Sequence, residues 1–158
     1  MAPSFAFLSQ FKSAKSYSYP GGSDDNAAGL VFYNGWTEWC ESYLAGSAFA
    51  DYLRDPNVLG FFSDNEINFS SNSSRILDRF LAISNSSDPA YVAAKAFMDS
   101  KGTQNVTDDL NNEFAGIVAE KYYKAVKEAV KKVDDKLLYL GTRLHGTPKY
   151  MELSLIHI

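Results

Sequence analysis

The chain has one cysteine, Cys40, in 158 residues. This excludes an internal disulfide framework and a cysteine-rich zinc site. Histidine is nearly as scarce, with only His145 and His157. A metal centre built on Asp64 and Glu66 would therefore lack a His pair at ligand spacing, and no metal or cofactor is expected. Basic charge is in the minority: 15 Lys+Arg against 19 Asp+Glu give a formal net charge of −4. A nucleic-acid surface needs clustered Lys and Arg, so that partner is not expected. No run reaches the ~18–20 apolar residues of a membrane span, so no membrane partner is expected. The first eight residues, Met1-Ala-Pro-Ser-Phe-Ala-Phe-Leu8, lack a basic segment followed by a long apolar one, so they do not read as a signal peptide. The length suits one domain with a real core but is short of the about 250 residues of a complete (β/α)8 barrel. No internal repeat or low-complexity segment is visible.

Apolar residues make up 46%, charged residues 22% and aromatics 15%. These proportions fit an ordinary globular domain. The ten Tyr, eleven Phe and two Trp suit an aromatic core or a carbohydrate-handling surface equally well. Trp36 and Trp39, three apart on a predicted helix, read as core positions, and Cys40 as a small buried hydrophobe. The last six residues, Leu153-Ser-Leu-Ile-His-Ile158, match the in-frame translation of a sequencing-adapter end (CTG TCT CTT ATA CAC ATC). They are expected to be an adapter-derived tail behind a domain spanning 1–152, which leaves His145 as the one histidine to consider.

Ser4 to Leu8 reads as a short buried strand and 11–29 as a polar loop. After the apolar run Leu30 to Tyr33, apolar spacing of three and four predicts a helix from about Trp36 to Leu53, stopped by Asp55-Pro56. Val58 to Phe62 is an unbroken apolar run, as in a parallel strand buried on both faces. A polar stretch, 63–74, follows directly. Helices are expected over 75–83 and from Pro89 to about Ser100, the latter closed by Gly102. A long helix is expected after the N-cap Thr107, with Asp108 and Asp109 in its first turn. Its lysines, Lys121 to Lys132, read as a solvated face. Leu137 to Gly141 reads as a second buried strand. Strand, helix, strand, helices, strand is the order of an α/β layer with parallel strands. The sequons at Asn68, Asn72, Asn85 and Asn105 have the pattern of glycan acceptors, which a chain rich in Ser also produces by chance.

Ligands in parallel α/β folds bind beyond the carboxyl ends of the strands. Two strand ends carry dense polar groups: Ser63-Asp64-Asn65-Glu66, and Thr142-Arg143-Leu144-His145. A carboxyl at such a mouth can serve as a general acid when burial or a neighbouring carboxylate raises its pKa. In an extended chain Asp64 and Glu66 would share a side. The competing structural reading is an Asx-type turn at Asp64-Asn65 that caps the next helix.

The segment Asp55-Pro-Asn-Val-Leu-Gly-Phe-Phe-Ser-Asp-Asn-Glu66 resembles the fourth-strand region of clan A glycoside hydrolases, particularly agarase-like enzymes, where a phrase like DPxxLGYFxDNE ends in an Asn-Glu pair. Glu113 to Tyr123 resembles the helix that follows. Lys131 to Arg143 resembles a fifth strand of the type K-x-D-P-N-H-L-Y-L-G-C-R. Asp135-Lys136 departs from the Pro-Asn-His stretch, and Thr142 stands where Cys is common. The resemblance covers about 30–146.

It implies a partial (β/α)8 TIM barrel, about strands three to five with their helices, with Ser4 to Leu8 as the third strand. It implies a retaining glycosidase acting on a polysaccharide or oligosaccharide and exported to reach it. Glu66 would be the catalytic acid/base, at the rim near the tip of the neighbouring strand and Arg143. Asn65 would hydrogen-bond a sugar hydroxyl beside the scissile bond. Asp64 and Arg143 would lie at the mouth, and His145 would contact sugar. The nucleophile, on the clan's seventh strand, would lie outside this chain, leaving it inactive by itself. The alternative is a complete small α/β ligand-binding or interaction domain in which Asp64-Asn65-Glu66 caps a helix or contacts a ligand.

Overall fold

The computed structural model describes residues 6–46, 49–69 and 75–142. Among these residues six α-helices and two short strands follow in chain order: α1 (Phe7–Ala14), α2 (Trp36–Gly46), α3 (Phe49–Leu53), β1 (Gly60–Phe61), α4 (Ile76–Leu81), α5 (Pro89–Lys101), α6 (Asp108–Val133) and β2 (Leu138–Tyr139). Two 3-10 segments, Pro20–Gly22 and Asp24–Phe32, lie between α1 and α2.

The long helix α6 organises the core. Its N-cap is Thr107, whose hydroxyl accepts the Leu110 N–H at 3.3 Å. Phe114, Val118, Tyr122, Val126 and Val130 line its buried face, the stripe that a 3.6-residue period turns inward. The helix packs most extensively on α2. There Trp36 stacks on Trp39 at 6.2 Å and on Tyr122 at 5.7 Å. Both tryptophans are buried, so neither offers a ring to an external ligand. At the other end, Phe114 meets Phe32, Phe80 and Phe97 with ring centroids 6.1, 5.9 and 5.3 Å away. Asp88 ties α5 to the 3-10 region by accepting the Ala90 N–H at 2.9 Å, the Tyr33 hydroxyl at 3.0 Å and the Gly21 N–H at 3.3 Å. The C-cap of α5 is Gly102 in the left-handed region, which only glycine enters freely.

β1 and β2 run parallel, Gly60 opposite Leu138 and Phe61 opposite Tyr139. Bonds from Leu138 N–H to Leu59 C=O (2.9 Å), Leu140 N–H to Phe61 C=O (3.0 Å) and Ser63 N–H to Gly141 C=O (2.9 Å) extend the contact at both ends. Gly60 is required by this approach: a Cβ there would stand 2.3 Å from the Leu138 carbonyl oxygen. The parallel pair joined through helices is the connection expected from the alternation of elements.

Several expectations are corrected. Phe7 and Leu8 open a helix instead of ending a strand. Phe7, Leu8 and Phe11 are buried, and a spacing of four puts Phe7 and Phe11 on one helical side. Ala6, just before Phe7, is left-handed, not extended, and Ser4 and Phe5 lie outside the described residues. The stretch 11–29 is not a loop: it holds the end of α1 and most of the 3-10 turns. The expected helix over 36–53 corresponds to α2 and α3, with 47–48 between them outside the described residues. Burial of the strands on both faces does not hold either. Leu138, opposite Gly60, is 52% exposed, while Phe61 and Tyr139, on the other face, are buried. The face that carries Gly60 and Leu138 is therefore open among the described residues.

Candidate functional site

Beyond the carboxyl end of β1 the chain leaves the sheet through Ser63 and Asp64, both buried, and emerges at Asn65 and Glu66, both exposed. A cavity of about 280 Å3 opens there. Leu8 and Ser9 of α1 form one wall. Asp24, Asp25 and Ala27 of the second 3-10 segment form another, with Tyr19 beside them, and Asp64 to Asn68 form the rim. Arg79 of α4 fastens the last two walls together. Its guanidinium donates to the Asn68 carbonyl at 3.1 Å, the Asp25 carbonyl at 3.3 Å and the Asn26 side chain at 3.2 Å. Asn68 Nδ2 in turn reaches Asp25 Oδ1 at 3.4 Å.

Glu66, Asp24 and Asp25 all line the cavity. Its backbone has φ +50°, a conformation uncommon for a residue with a side chain. Asn65 lies beside it on the rim. The described lining of the cavity comes from α1, Tyr19, the second 3-10 segment and the stretch after β1. Arg143 and His145 lie outside the described residues.

Asp64 takes a different position from Glu66. Extended geometry would put the two on one side, but the turn at φ +50° separates them and leaves Asp64 buried. Its carboxylate accepts the Tyr122 hydroxyl at 2.5 Å and the Leu8 N–H at 3.3 Å, with a further bond from the Phe7 N–H. These two amides belong to the first turn of α1, whose N-cap residue, Ala6, provides no side-chain cap. The capping carboxylate thus comes from 56 residues away, and it serves a preceding helix, not the following one. Free amides at a helix N-terminus favour a negative partner. Burial nevertheless pushes the Asp64 carboxyl up to about 6, against the downward pull of the Tyr122, Leu8 and Phe7 bonds. Glu66 is not among the causes of that rise.

A layer of hydroxyls lies under the strand ends. Ser63 Oγ is 2.8 Å from the Tyr139 hydroxyl and donates to the Gly141 carbonyl at 3.1 Å. Tyr123 and Thr142 share a hydrogen bond at 2.8 Å. The Tyr122 hydroxyl is raised well above its ordinary range, first by burial and then by the Asp64 charge. It stays protonated and donates to Asp64. Sequence reasoning placed Tyr122 among the core residues of α6 and found no function for its hydroxyl. The available signal was a tyrosine, where a phenylalanine would fill the same space, on a fully buried face.

Among the described residues no group of three or more His, Cys, Asp or Glu side chains is placed to hold a metal ion. No helix there is long and apolar enough to cross a membrane.

No protein-family model matches the chain, and no curated protein does. Among solved structures it is similar to the crystal structure of BpGH50, a glycoside hydrolase, with 56% sequence identity over 99% of this chain and a TM-score of 0.92. The chain spans 35% of the length of that protein. Identity and TM-score at this level show that the two share a fold over the matched region.

Proposed function

We propose that the chain is a part of a retaining, agarase-like glycoside hydrolase, the part that carries the acid/base carboxyl, Glu66. One observation carries the reading. Glu66 stands just beyond the carboxyl end of a parallel strand, at the rim of an open cavity, within a segment 56% identical to a solved glycoside hydrolase. In this mechanism Glu66 protonates the departing glycosidic oxygen while a second carboxylate attacks the anomeric carbon from about 5–5.5 Å between the two carboxyl groups. Glu66 then takes a proton from the water that releases the sugar. The nucleophile belongs to a part of the enzyme outside this chain. Asn65 holds a sugar hydroxyl next to the bond that breaks, and Arg143 and His145 contribute further sugar contacts. The substrate is a polysaccharide or its oligosaccharides, and the enzyme works outside the cell.

The architecture proposed with this function is a partial (β/α)8 barrel in which β1 and β2 are neighbouring staves. Two features support it: the parallel register of the pair, and the open side of the sheet, where Leu138 protrudes as a side chain facing a barrel interior would.

The test is a graft in which this chain replaces the region of BpGH50 that it matches. Hydrolysis of agarose and of aryl glycosides is then followed with Glu66 and with Glu66→Gln. The variant should lose about 10²–10⁴-fold in turnover on a natural glycosidic bond, the range that general acid catalysis contributes. It should lose much less on an aryl leaving group that departs without a proton. The first-formed product should keep the anomeric configuration of the substrate. Turnover near that of the parent graft on both substrates would remove Glu66 from the mechanism.

A further inference from the structure

We propose that Asp64 and Tyr122 form a clamp that positions Glu66, locking the strand end that carries it to α1 on one side and to α6 on the other. The inference rests on the reading of Glu66 as the acid/base group.

The clamp grips residue 64 twice. The Tyr122 hydroxyl donates to the Asp64 carboxylate at 2.5 Å and accepts the Asp64 backbone N–H at 3.1 Å. One phenol therefore fixes both the side chain and the main chain of the residue two positions before Glu66. The same carboxylate holds the first amides of α1, the Leu8 N–H reaching Oδ2 at 3.3 Å and Oδ1 at 3.4 Å. Leu8 and Ser9 line the same cavity as Glu66. One buried carboxylate thus holds both the strand end that carries Glu66 and the start of the helix that lines the same cavity.

The backbone of Glu66 gives this arrangement a purpose. A residue with a side chain at φ +50° persists only where its surroundings over-determine it. The bonds just before it do so: Ser63 N–H to the Gly141 carbonyl at 2.9 Å, then the two bonds of the Tyr122 hydroxyl. Without the phenol oxygen, residues 64 to 66 lose the anchor nearest the turn. Asp64 and Tyr122 do not touch the reacting atoms in this scheme and are positioning residues. The titratable groups around them are the hydroxyls of Tyr43 and Tyr139 and the thiol of Cys40, each of which senses the Asp64 charge.

The experiment uses the same graft with Tyr122→Phe, Asp64→Ala, Asp64→Asn and Glu66→Gln. Tyr122→Phe removes one oxygen from a buried ring and should lower kcat by about tenfold, with KM within about twofold, because misplacing a catalytic group raises the barrier and spares ground-state binding. Asp64→Ala should lower kcat further. Asp64→Asn should recover part of that loss, because its amide oxygen still accepts from the α1 amides. Tyr122→Phe at full kcat beside an inactive Glu66→Gln would overturn the clamp and leave the glycosidase reading standing. Glu66→Gln at full activity would overturn that reading, and the clamp with it. A second measurement uses the 158-residue chain alone. In amide NMR, Tyr122→Phe should speed exchange at Leu8 and Asp64 and shift the resonances of Asn65 and Glu66. Unchanged resonances at Asn65 and Glu66 would overturn the clamp without reference to catalysis.

Discussion

Replacing Asp64 with asparagine should change how stability depends on pH, in a direction opposite to that of most carboxylates. A surface carboxylate held by cations has a depressed pKa, and its protein weakens as acid is added. Asp64 is held above the ordinary value of 3.8, at about 6, because burial outweighs its hydrogen bonds. The folded chain therefore binds the Asp64 proton more tightly than the unfolded chain does. As pH falls from 7 through about 6 toward 4, the folded state takes up this proton first and gains stability. A rise from 3.8 to about 6 corresponds to about 3 kcal/mol, all of it felt as a penalty at pH 7 and almost none at pH 3. Asp64→Asn carries no titrating group. It also gives up hydrogen bonds to a charge, whose pull is already contained in the folded value of about 6. The stability difference, variant minus parent, should therefore shrink by about 2–3 kcal/mol between pH 7 and pH 4. Urea unfolding of both proteins at pH 4, 5, 6 and 7 measures it, with the buried Trp36 and Trp39 as fluorescent reporters. Every other titrating group is common to both proteins and cancels in the difference. Parallel stability curves would show that burial does not govern Asp64.

Two further substitutions test the frame that carries the site. Phe114→Ala empties the space ringed by Phe32, Phe80 and Phe97. It should cost about 3–5 kcal/mol in urea unfolding, and a cost under about 1 kcal/mol would mean that these rings do not form one packed cluster. Gly60→Ala places a methyl group 2.3 Å from the Leu138 carbonyl oxygen. The parallel pair must separate or shift, at about 1–3 kcal/mol, with faster amide exchange at Leu138 and Leu140. Protection unchanged at both amides would argue against the register of Gly60 opposite Leu138.

The helices with local signals were legible in the sequence. Thr107 with Asp108 and Asp109, Asp88-Pro89, and Gly102 each act on amides or carbonyls a few residues away, so local order suffices to read them. The apolar runs at Val58 to Phe62 and Leu137 to Gly141 marked both strands for the same reason, as did the alternation that makes them parallel. The polar group after β1 drew attention to Glu66 and Asn65 because a buried run that ends abruptly in charge must put that charge somewhere. Tertiary structure decided the rest. α1 reads as a strand because its cap is a carboxylate 56 positions downstream, invisible to any local pattern. The open side of the sheet depends on what lies beside β1 and β2 in space, and an apolar run carries no record of that. Asp64 and Glu66 are two residues apart and of the same chemistry, yet one is buried under Tyr122 and the other stands on a cavity rim. What separates them is the turn at Glu66 and a hydroxyl from a helix 58 positions away, because burial and hydrogen bonding are properties of the folded neighbourhood and not of the residue.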